Sequence, residues 1–519
     1  MEFLHKLLDI TRKQDFYISL LLLNTPYLFF ILPNLSWDNV NLPYVLGCIG
    51  RVIAPTYIIA ICLFHPKECW RKGTLFLSTI LCAIDILSLL LIHQPFYLSF
   101  LPSLLDTNPQ ETKEFLESHL AFSWQGLLML IVCLPMLRKS VRQKIFSLYA
   151  RFYDTDYKSV VILTVIFAAS YLYGISAHLL TSRMPVGNSI LRVSLDAYQV
   201  SISTIFAPKK VVPSVVSYDD SIPYVVVVLG ESANKHHMSL YGYPLETTPW
   251  AEEEEQSGHL SVYTNTLATK HYTIAAMKDI FSEMKKDEEA PFRSFPNIFD
   301  FLRQTSYKTT WISNQENVGT IGSFEKDLSS CADRSIFTRS AVGNMDSDLV
   351  YDDIICQTLD SVLKEEEDVP NNFLVLHLMG SHMHAKNRYP ADFAKFTPED
   401  EDGDSEEVKK TRAEYDNSIL YTDDVLRQIV QRFQEKDAII IYLSDHGEDV
   451  YDEEKKFFAG HSTQGKDEEL YIPFFVWGSD AFQKNHPDIW DSIVKKQGDL
   501  FFTDAFPEFL WDILSLRAE

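Results

Sequence analysis

The chain has 519 residues, too many for one average domain, and its 46% apolar residues are enough for a large core. Its formal net charge of −25 is unevenly divided, with +3 over residues 1–185 and −28 over the remainder. So acidic a surface excludes nucleic acid as the partner of the larger part, because phosphate backbones bind cationic surfaces.

Five apolar stretches precede residue 185, and each approaches the length of about 20 residues that crosses a bilayer. They cover residues 16–32, 44–64, 74–92, 122–137 and 160–180. Any one of them could be a buried helix of a soluble domain. Five in succession, with basic clusters between alternate pairs, instead predict a transmembrane domain of five helices over residues 1–182.

The charges of the connecting loops predict the orientation of this domain. Lys and Arg cluster before the first stretch, between the second and third, and between the fourth and fifth. The other two loops hold Lys113 as their one basic residue among several acids. We therefore expect a cytoplasmic N-terminus and an acidic domain in the bacterial periplasm. The first stretch lacks a signal-peptide cleavage pattern, so it is expected to remain as a span of an inner-membrane protein.

Residues 183–222 mix polar and apolar residues with several prolines, which predicts a linker. An amphipathic helix over residues 188–206, lying at the membrane surface, is an equal alternative. Five of the seven cysteines lie in or beside the apolar third. The acidic part holds the other two, Cys331 and Cys356, which allow at most one disulfide.

The acidic part, residues 223–519, begins with a strand at 224–230 that is apolar on both faces. Such a run is typical of a central strand covered by helices on both sides. Further strands are predicted near residue 263 and at 309–313, 373–377, 438–443 and 472–477. Helices are predicted to begin near Thr273 and to cover 414–433. The alternation favours an α/β sandwich with a mostly parallel sheet.

Metal-type ligands follow the ends of several predicted strands. Glu231 ends the first strand, Asp445 and His446 follow the strand at 438–443, and His382 lies a few residues past another. His461 follows in the loop after Asp445. Ligands bind at the carboxyl ends of strands in open α/β sheets, so one shared site is expected. Carboxylates and imidazoles suit zinc or, less specifically, another divalent transition ion.

The sequence has no Cys cluster for a structural zinc, no P-loop and no Gly-x-Ser-x-Gly elbow. A Thr or Ser hydroxyl attacks phosphorus at neutral pH only when a metal lowers its pKa. Thr273 is the best candidate, because it stands at a predicted helix start, where N–H groups also hold phosphate oxygens. Thr269 and Thr266 are the alternatives, and simple helix capping is the alternative role for Thr273. His377, on a buried strand, is expected to be a hydrogen-bonded core residue.

Six short motifs occur in order along the acidic part: Gly230-Glu-Ser-Ala, Tyr241-Gly-Tyr-Pro, Met379-Gly-Ser-His, Asn387-Arg-Tyr-Pro, Tyr415-Asp-Asn-Ser-Ile-Leu-Tyr and Ser444-Asp-His-Gly-Glu. Together they resemble the bacterial phosphoethanolamine transferases, membrane-anchored members of the alkaline phosphatase/sulfatase superfamily. That family combines five N-terminal spans with a periplasmic catalytic domain, an organisation that matches essentially the whole chain.

The resemblance implies a catalytic zinc ion with four protein ligands: Glu231, Thr273, Asp445 and His446. Thr273 would be the nucleophile that becomes modified with phosphoethanolamine. His382 and His461 would lie at the substrate phosphate or at a second zinc ion. The donor would be phosphatidylethanolamine, and the acceptor a lipopolysaccharide or a periplasmic glucan.

The chain departs from the lipid A-modifying branch of that family. The step before the candidate nucleophile is Lys270-His-Tyr-Thr, where that branch has Cys-Gly. A lysine that follows the tryptophan strand of that branch is missing after Trp311-Ile-Ser-Asn-Gln. These segments are more similar to the branch that acts on the lipopolysaccharide core or on periplasmic glucans.

Three other functions are conceivable for this ligand set, and the residues do not favour them equally. A phosphoglycerol transferase, or another phosphodiester-cleaving enzyme of the superfamily, would use the same ligands. A sulfatase would need Cys/Ser-x-Pro-x-Arg for formylglycine formation, and no such motif follows Tyr263. A catalytically silent membrane-anchored binding protein has no physical reason to keep a charged metal cluster.

Overall fold

The computed structural model describes residues 68–92, 210–288, 292–316, 324–339, 350–382, 384–452 and 467–519, with a few single positions before residue 144. The chain divides into two compact units, Met1–Ile202 and Ser203–Glu519. Apart from single positions, four of the five predicted spans and most of the predicted linker lie outside the described residues.

The described part of the first unit is mainly one helix, α1 (Glu68–Ile92), which contains the predicted third span. Large apolar side chains such as Phe76 and Leu87 are exposed on it. Across the stretches described here, no helix has both the length and the apolar character needed to cross a membrane. The transmembrane domain of five helices stays a prediction.

In the described residues, the second unit is an α/β structure. Its strands, in chain order, are β1 (Val215–Ser217), β2 (Tyr224–Gly230), β3 (Leu260–Tyr263), β4 (Thr266–Leu267), β5 (Lys308–Glu316), β6 (Arg334–Arg339), β7 (Asn372–His377), β8 (Ala438–Ser444), β9 (Phe474–Gly478), β10 (Phe501–Phe502) and β11 (Arg517–Ala518). Its helices are α2 (Pro249–Ser257), α3 (Thr273–Ile280), α4 (Ile298–Leu302), α5 (Phe324–Ser329), α6 (Asp353–Glu365), α7 (Glu406–Gln431), α8 (Asp480–Asn485), α9 (Pro487–Lys495) and α10 (Phe506–Ile513).

Seven strands form the main sheet, in the order β3-β9-β8-β2-β7-β5-β6. The pairs from β8 to β6 are parallel, and β9 is antiparallel to both of its neighbours. The prediction of a mostly parallel sheet is therefore confirmed. In the register of this sheet Gly230 lies opposite Ser444, and Leu229 lies opposite His377. The residues that follow β2, β7 and β8 thus meet at one edge of the sheet.

The side chains of β2 alternate between two apolar cores. Val225, Val227 and Leu229 pack in a core shared with α3, α4 and α10. Val226 and Val228 pack on the other face, against α2, α6 and α7. Burial on both faces explains why β2 is an uninterrupted apolar run. Helices cover both sides of the sheet, which confirms the predicted α/β sandwich.

Several elements differ from the prediction at their ends. Helix α7 begins at Glu406, before the predicted residue 414, because the side chain of Ser405 accepts a hydrogen bond from the Val408 N–H and caps the helix. Strand β6 was not predicted, since it is an edge strand in which charged and apolar residues mix. Cys331 and Cys356 are both free thiols, so the one disulfide that the sequence allows in this part is not formed.

Candidate active site

Three buried side chains converge just beyond β2 and β8. The ligand atoms of Glu231, Asp445 and His446 all lie within 4.8 Å of one another. His446 Nε2 is 3.3 Å from Glu231 Oε1 and 3.4 Å from Asp445 Oδ2. Strands β2 and β8 are parallel neighbours, and their last residues, Gly230 and Ser444, lie opposite each other. The residues that follow them are therefore placed side by side.

The hydroxyl of Thr273 joins this cluster from a different element. Its Oγ1 lies 3.1 and 3.2 Å from the two carboxylate oxygens of Glu231 and 3.3 Å from His446 Nε2. Thr273 is the first residue of α3, and the N-cap position belongs to Tyr272, whose side chain makes no capping bond. The hydroxyl of Thr273 is therefore directed at the acidic cluster and does not cap the helix.

The two alternative threonines are engaged elsewhere. Thr269 Oγ1 donates to Asp279 Oδ2 at 2.7 Å and lies 3.1 Å from Thr503 Oγ1. Thr266 is buried in β4, and its hydroxyl donates to the Tyr263 carbonyl at 3.4 Å. Of the three threonines considered, Thr273 is the one in contact with the cluster.

The cluster places two carboxylates together out of water. Burial and the neighbouring charge of Glu231 raise the pKa of Asp445 to about 7. Burial acts to raise the pKa of Glu231 as well, but the hydrogen bond from His446 and the charges of His446, His382 and His377 hold it below its usual range. Burial opposes the charge on His446, yet the two carboxylates raise its pKa to about 10. Without a metal ion, the charged ring of His446 is therefore the positive group that lies beside these two acids.

The donor atoms fit a divalent metal ion. Asp445 Oδ1 accepts hydrogen bonds from the N–H groups of Ser232 and His446, at 3.1 and 2.7 Å, whereas Oδ2 is buried and has no hydrogen-bond partner among the described residues. Such an unsatisfied buried carboxylate oxygen is costly unless a ligand meets it. His446 Nδ1 lies 2.8 Å from the Gly447 carbonyl, which leaves Nε2 to face the cluster as a ligand atom. Two carboxylates, an imidazole and a hydroxyl suit zinc.

His377 lies immediately behind Glu231. Its Nε2 is 4.0 Å from Glu231 Oε2, and its Nδ1 is 2.7 Å from Glu325 Oε1. The expected buried, hydrogen-bonded role agrees with these contacts, but the proximity to the cluster was not predicted. The signal was its place at the end of β7, where it lies opposite Leu229, two positions before Glu231 in the neighbouring strand.

The loop after β7 is fixed against Glu231 by a residue that the sequence analysis missed. The Asp352 carboxylate accepts hydrogen bonds from the N–H groups of Met379 and Gly380, both at 2.8 Å. The Ser381 N–H donates to the Glu231 carbonyl at 2.9 Å. This loop carries His382, whose charge acts on Glu231. His461, the other predicted histidine, lies outside the described residues.

Comparison with known proteins identifies the relatives of the second unit. A sequence model of the sulfatase family matches residues 223–510. Phosphoethanolamine transferase EptC of Escherichia coli O18:K1:H7 is 31% identical over 280 residues, which are 51% of this chain and 46% of that protein. Phosphoethanolamine transferase EptA of Helicobacter pylori is 28% identical over 313 residues, or 59% and 58% of the two chains. The chain therefore spans about half the length of the curated relatives it matches.

Solved structures extend the comparison. The zinc complex of the C-terminal periplasmic domain of Escherichia coli EptC matches with a TM-score of 0.53 and 26% identity, covering 59% of this chain and 87% of that one. The integral membrane protein lipooligosaccharide phosphoethanolamine transferase A of Neisseria meningitidis matches with a TM-score of 0.66. That match covers 97% of this chain and 95% of the other at 16% identity, which is a likeness of fold alone.

Gly380 offers a test of how tightly this loop and Glu231 are packed. Its φ is +53°, and an added Cβ would lie 2.6 Å from the Glu231 carbonyl oxygen. We expect Gly380→Ala to lower the melting temperature of the chelator-treated full-length protein and to reduce the rise in melting temperature that added zinc produces, because Glu231 is displaced.

The matched control is Gly242→Ala, at φ +93°, where no atom of the part of the chain that the structure describes lies within 4 Å of the added Cβ. The alanine at position 242 has the strain of a left-handed conformation, about 1–2 kcal/mol, but its Cβ does not collide with a neighbouring residue as the Cβ at position 380 does with Glu231. Equal losses in the two variants, with equal responses to zinc, would contradict the packing described here.

Proposed function

This chain belongs to the sulfatase family, and we propose that within this family it is a zinc-dependent phosphoethanolamine transferase. One observation carries the proposal: the Thr273 hydroxyl is placed among Glu231, Asp445 and His446. Its relatives EptC and EptA are phosphoethanolamine transferases, and the zinc complex of EptC has a related fold. The placement of a weak nucleophile inside a buried ligand set is what a group-transfer enzyme of this kind needs.

We propose that Glu231, Thr273, Asp445 and His446 hold one zinc ion. When bound, zinc would lower the pKa of the Thr273 hydroxyl and stabilise negative charge on the phosphate oxygens. The carboxylate of Glu231 accepts from the Thr273 hydroxyl and orients its oxygen. Backbone groups hold the other ligands in place. Asp445 accepts hydrogen bonds from two backbone N–H groups, and His446 Nδ1 is hydrogen-bonded to the Gly447 carbonyl.

In the first half-reaction, the Thr273 hydroxyl gives up its proton to solvent, and its Oγ1 forms a bond with the phosphorus of phosphatidylethanolamine. The bond from phosphorus to the diacylglycerol oxygen breaks, and that oxygen takes a proton from a histidine. His382 is the proposed donor, because it lies in the loop that packs on Glu231. His461 shares this role or contributes with His382 to a second zinc site.

In the second half-reaction, an acceptor hydroxyl or phosphate oxygen attacks the phosphorus of the modified Thr273. The bond to Thr273 Oγ1 breaks, and phosphoethanolamine leaves on the acceptor. The histidine that gave its proton to the diacylglycerol oxygen now takes up the proton of an acceptor hydroxyl. The proposed acceptor is a lipopolysaccharide or a periplasmic glucan, since the segments around Tyr272 and Trp311 resemble the branch that modifies those molecules.

A lipid donor requires that the catalytic domain stay at a membrane. We propose that residues 1–182 form five spans of the bacterial inner membrane, that 183–222 link the units, and that 223–519 are periplasmic. The five apolar stretches, the loop charges and a fold likeness along 97% of the chain to an integral membrane protein support this arrangement.

Protease added to spheroplasts tests this topology. We expect a C-terminal tag to be removed while a tag at the cytoplasmic N-terminus survives until the membrane is broken. Survival of the C-terminal tag in intact spheroplasts would contradict a periplasmic catalytic domain.

Covalent labelling tests the chemistry at Thr273. We expect full-length protein incubated with phosphatidylethanolamine, labelled in its headgroup, to retain label on one threonine. Cleavage after Lys270 and Lys278 yields a peptide of residues 271–278, which contains Thr273 and excludes Thr269. Mass spectrometry of that peptide reads the site directly.

Thr273→Ala should abolish the label, whereas Thr269→Ala should retain it, because Thr269 contacts Asp279 and Thr503 instead of the cluster. Label on any other peptide would contradict the assignment of the nucleophile. A parallel incubation with phosphatidylglycerol, labelled in its headgroup, separates the alternative donor: label from that lipid alone would identify a phosphoglycerol transferase.

A further inference from the structure

A second buried group of charges lies beside the candidate site, centred on His237. Its Nδ1 is 2.6 Å from Asp416 Oδ1, and its Nε2 is 3.3 Å from Asp452 Oδ1. Burial alone would lower the pKa of His237, but the two carboxylates raise it to about 10. The ring is thus charged at neutral pH and donates from both nitrogens, one to each acid.

His237 stands at the far end of two loops that run side by side. One is the β2 loop, residues 231–238, and the other is the β8 loop, residues 445–452. Successive hydrogen bonds connect them or their strand ends: Ser232 N–H to Asp445 Oδ1 (3.1 Å), Ala233 N–H to Ser444 Oγ (2.9 Å) and Asn234 Nδ2 to Glu448 O (3.2 Å). The bond from His237 to Asp452 is the last of this series and closes it.

The end of the β8 loop is a strained turn that needs such support. Tyr451 has a φ of +69°, a left-handed conformation that is costly for a residue with a side chain. Arg412 donates to the carbonyls of Val450 and Tyr451, at 3.2 and 2.8 Å, and to Asp452 at 3.3 Å. His237 and Arg412 therefore hold the Asp452 side chain from two directions.

Helix α7 provides the fixed partner on the other side of His237. Asp416, which is fully buried, also accepts from the Tyr243 hydroxyl at 2.8 Å through its second oxygen. The preceding residue, Tyr415, accepts from the Asn234 N–H and donates to the Ser232 carbonyl, at 2.8 and 2.7 Å. Helix α7 thus contacts the β2 loop through both Tyr415 and Asp416. His237, which Asp416 binds, in turn contacts Asp452 of the β8 loop.

This attachment matters because the β2 loop carries Glu231 and the β8 loop carries Asp445 and His446. The ladder between the strands ends at the pair Gly230 and Ser444. Beyond that pair, one more backbone bond, from the Asp445 N–H to the Gly230 carbonyl at 3.1 Å, and then the side-chain bonds described above set the separation of the loops. A metal site tolerates displacements of only about 0.5 Å in its ligands.

We propose that His237, shared between Asp416 and Asp452, is a positioning residue that sets the separation of the two loops carrying the proposed metal ligands. This inference rests on the proposed zinc-dependent function. His237 itself touches neither the ligands nor the substrate in this scheme; it acts through the loops.

Zinc affinity of the full-length protein, measured by competition with a fluorescent chelator, tests the inference. We expect His237→Gln and Asp452→Asn each to weaken zinc binding by about 10- to 100-fold, the range typical of residues that orient metal ligands. Asp452→Asn preserves the shape of the side chain and serves if His237→Gln fails to fold.

The matched control is Glu366→Gln. Glu366 is a buried carboxylate between Lys308 (2.9 Å) and Arg334 (3.7 Å), at the amino end of β5 and so at the opposite edge of the sheet. Its replacement also breaks a three-charge group centred on a buried carboxylate, and we expect a lower melting temperature in chelator with a zinc dissociation constant within about twofold of wild type.

The two proposals fail in distinguishable ways. Wild-type protein that does not bind zinc would overturn the zinc-dependent function and this inference with it. Wild-type protein that binds zinc, with His237→Gln and Asp452→Asn binding it as tightly as Glu366→Gln does, would overturn the positioning role alone.

Discussion

The structure depends on two carboxylates that are held together out of water. Glu231 and Asp445 end neighbouring parallel strands and are almost completely buried. Their charges repel each other, and burial removes the water that would screen this repulsion. The surrounding groups compensate it: backbone N–H groups bind one oxygen of Asp445, and the ring of His446 lies between the two acids. The second oxygen of Asp445 has no hydrogen-bond partner among the described residues, and it faces the Nε2 atom of His446.

The fold explains how such a repulsive pair can persist. The hydrogen bonds between β2 and β8 continue up to Gly230 and Ser444, the residues just before the two acids. The ends of the two strands therefore cannot move apart to relieve the repulsion. The loops beyond the ladder are joined to each other and to α7, and the loop after β7 is held by Asp352. Thr273 enters from α3, which packs on the opposite face of the sheet from α7. A hydroxyl with a high intrinsic pKa is thereby placed where positive charge would gather, which is the arrangement that activates a weak nucleophile.

The main strands and several residues of the candidate site could be predicted from local sequence. The buried strands β2, β7 and β8 are short apolar runs, and ligand-type residues follow β2 and β8 directly. The start of α3 at Thr273 was also visible in the hydroxyl-rich stretch before it. The supporting residues were not predicted, because their partners are far away in the chain. Asp352 binds Met379 and Gly380, and nothing near residue 352 indicates that contact. His237 lies 179 positions from Asp416 and 215 from Asp452, so its role depends on tertiary packing alone.

The central claim is that Thr273 shares one zinc ion with Glu231, Asp445 and His446. Anomalous X-ray diffraction at the zinc absorption edge, from crystals of the zinc-loaded full-length protein, tests it most directly. We expect one strong peak bonded to all four side chains at about 2.0–2.2 Å. A peak that lies away from these four side chains, or that is bonded to the acids and His446 while Thr273 Oγ1 is remote, would contradict it.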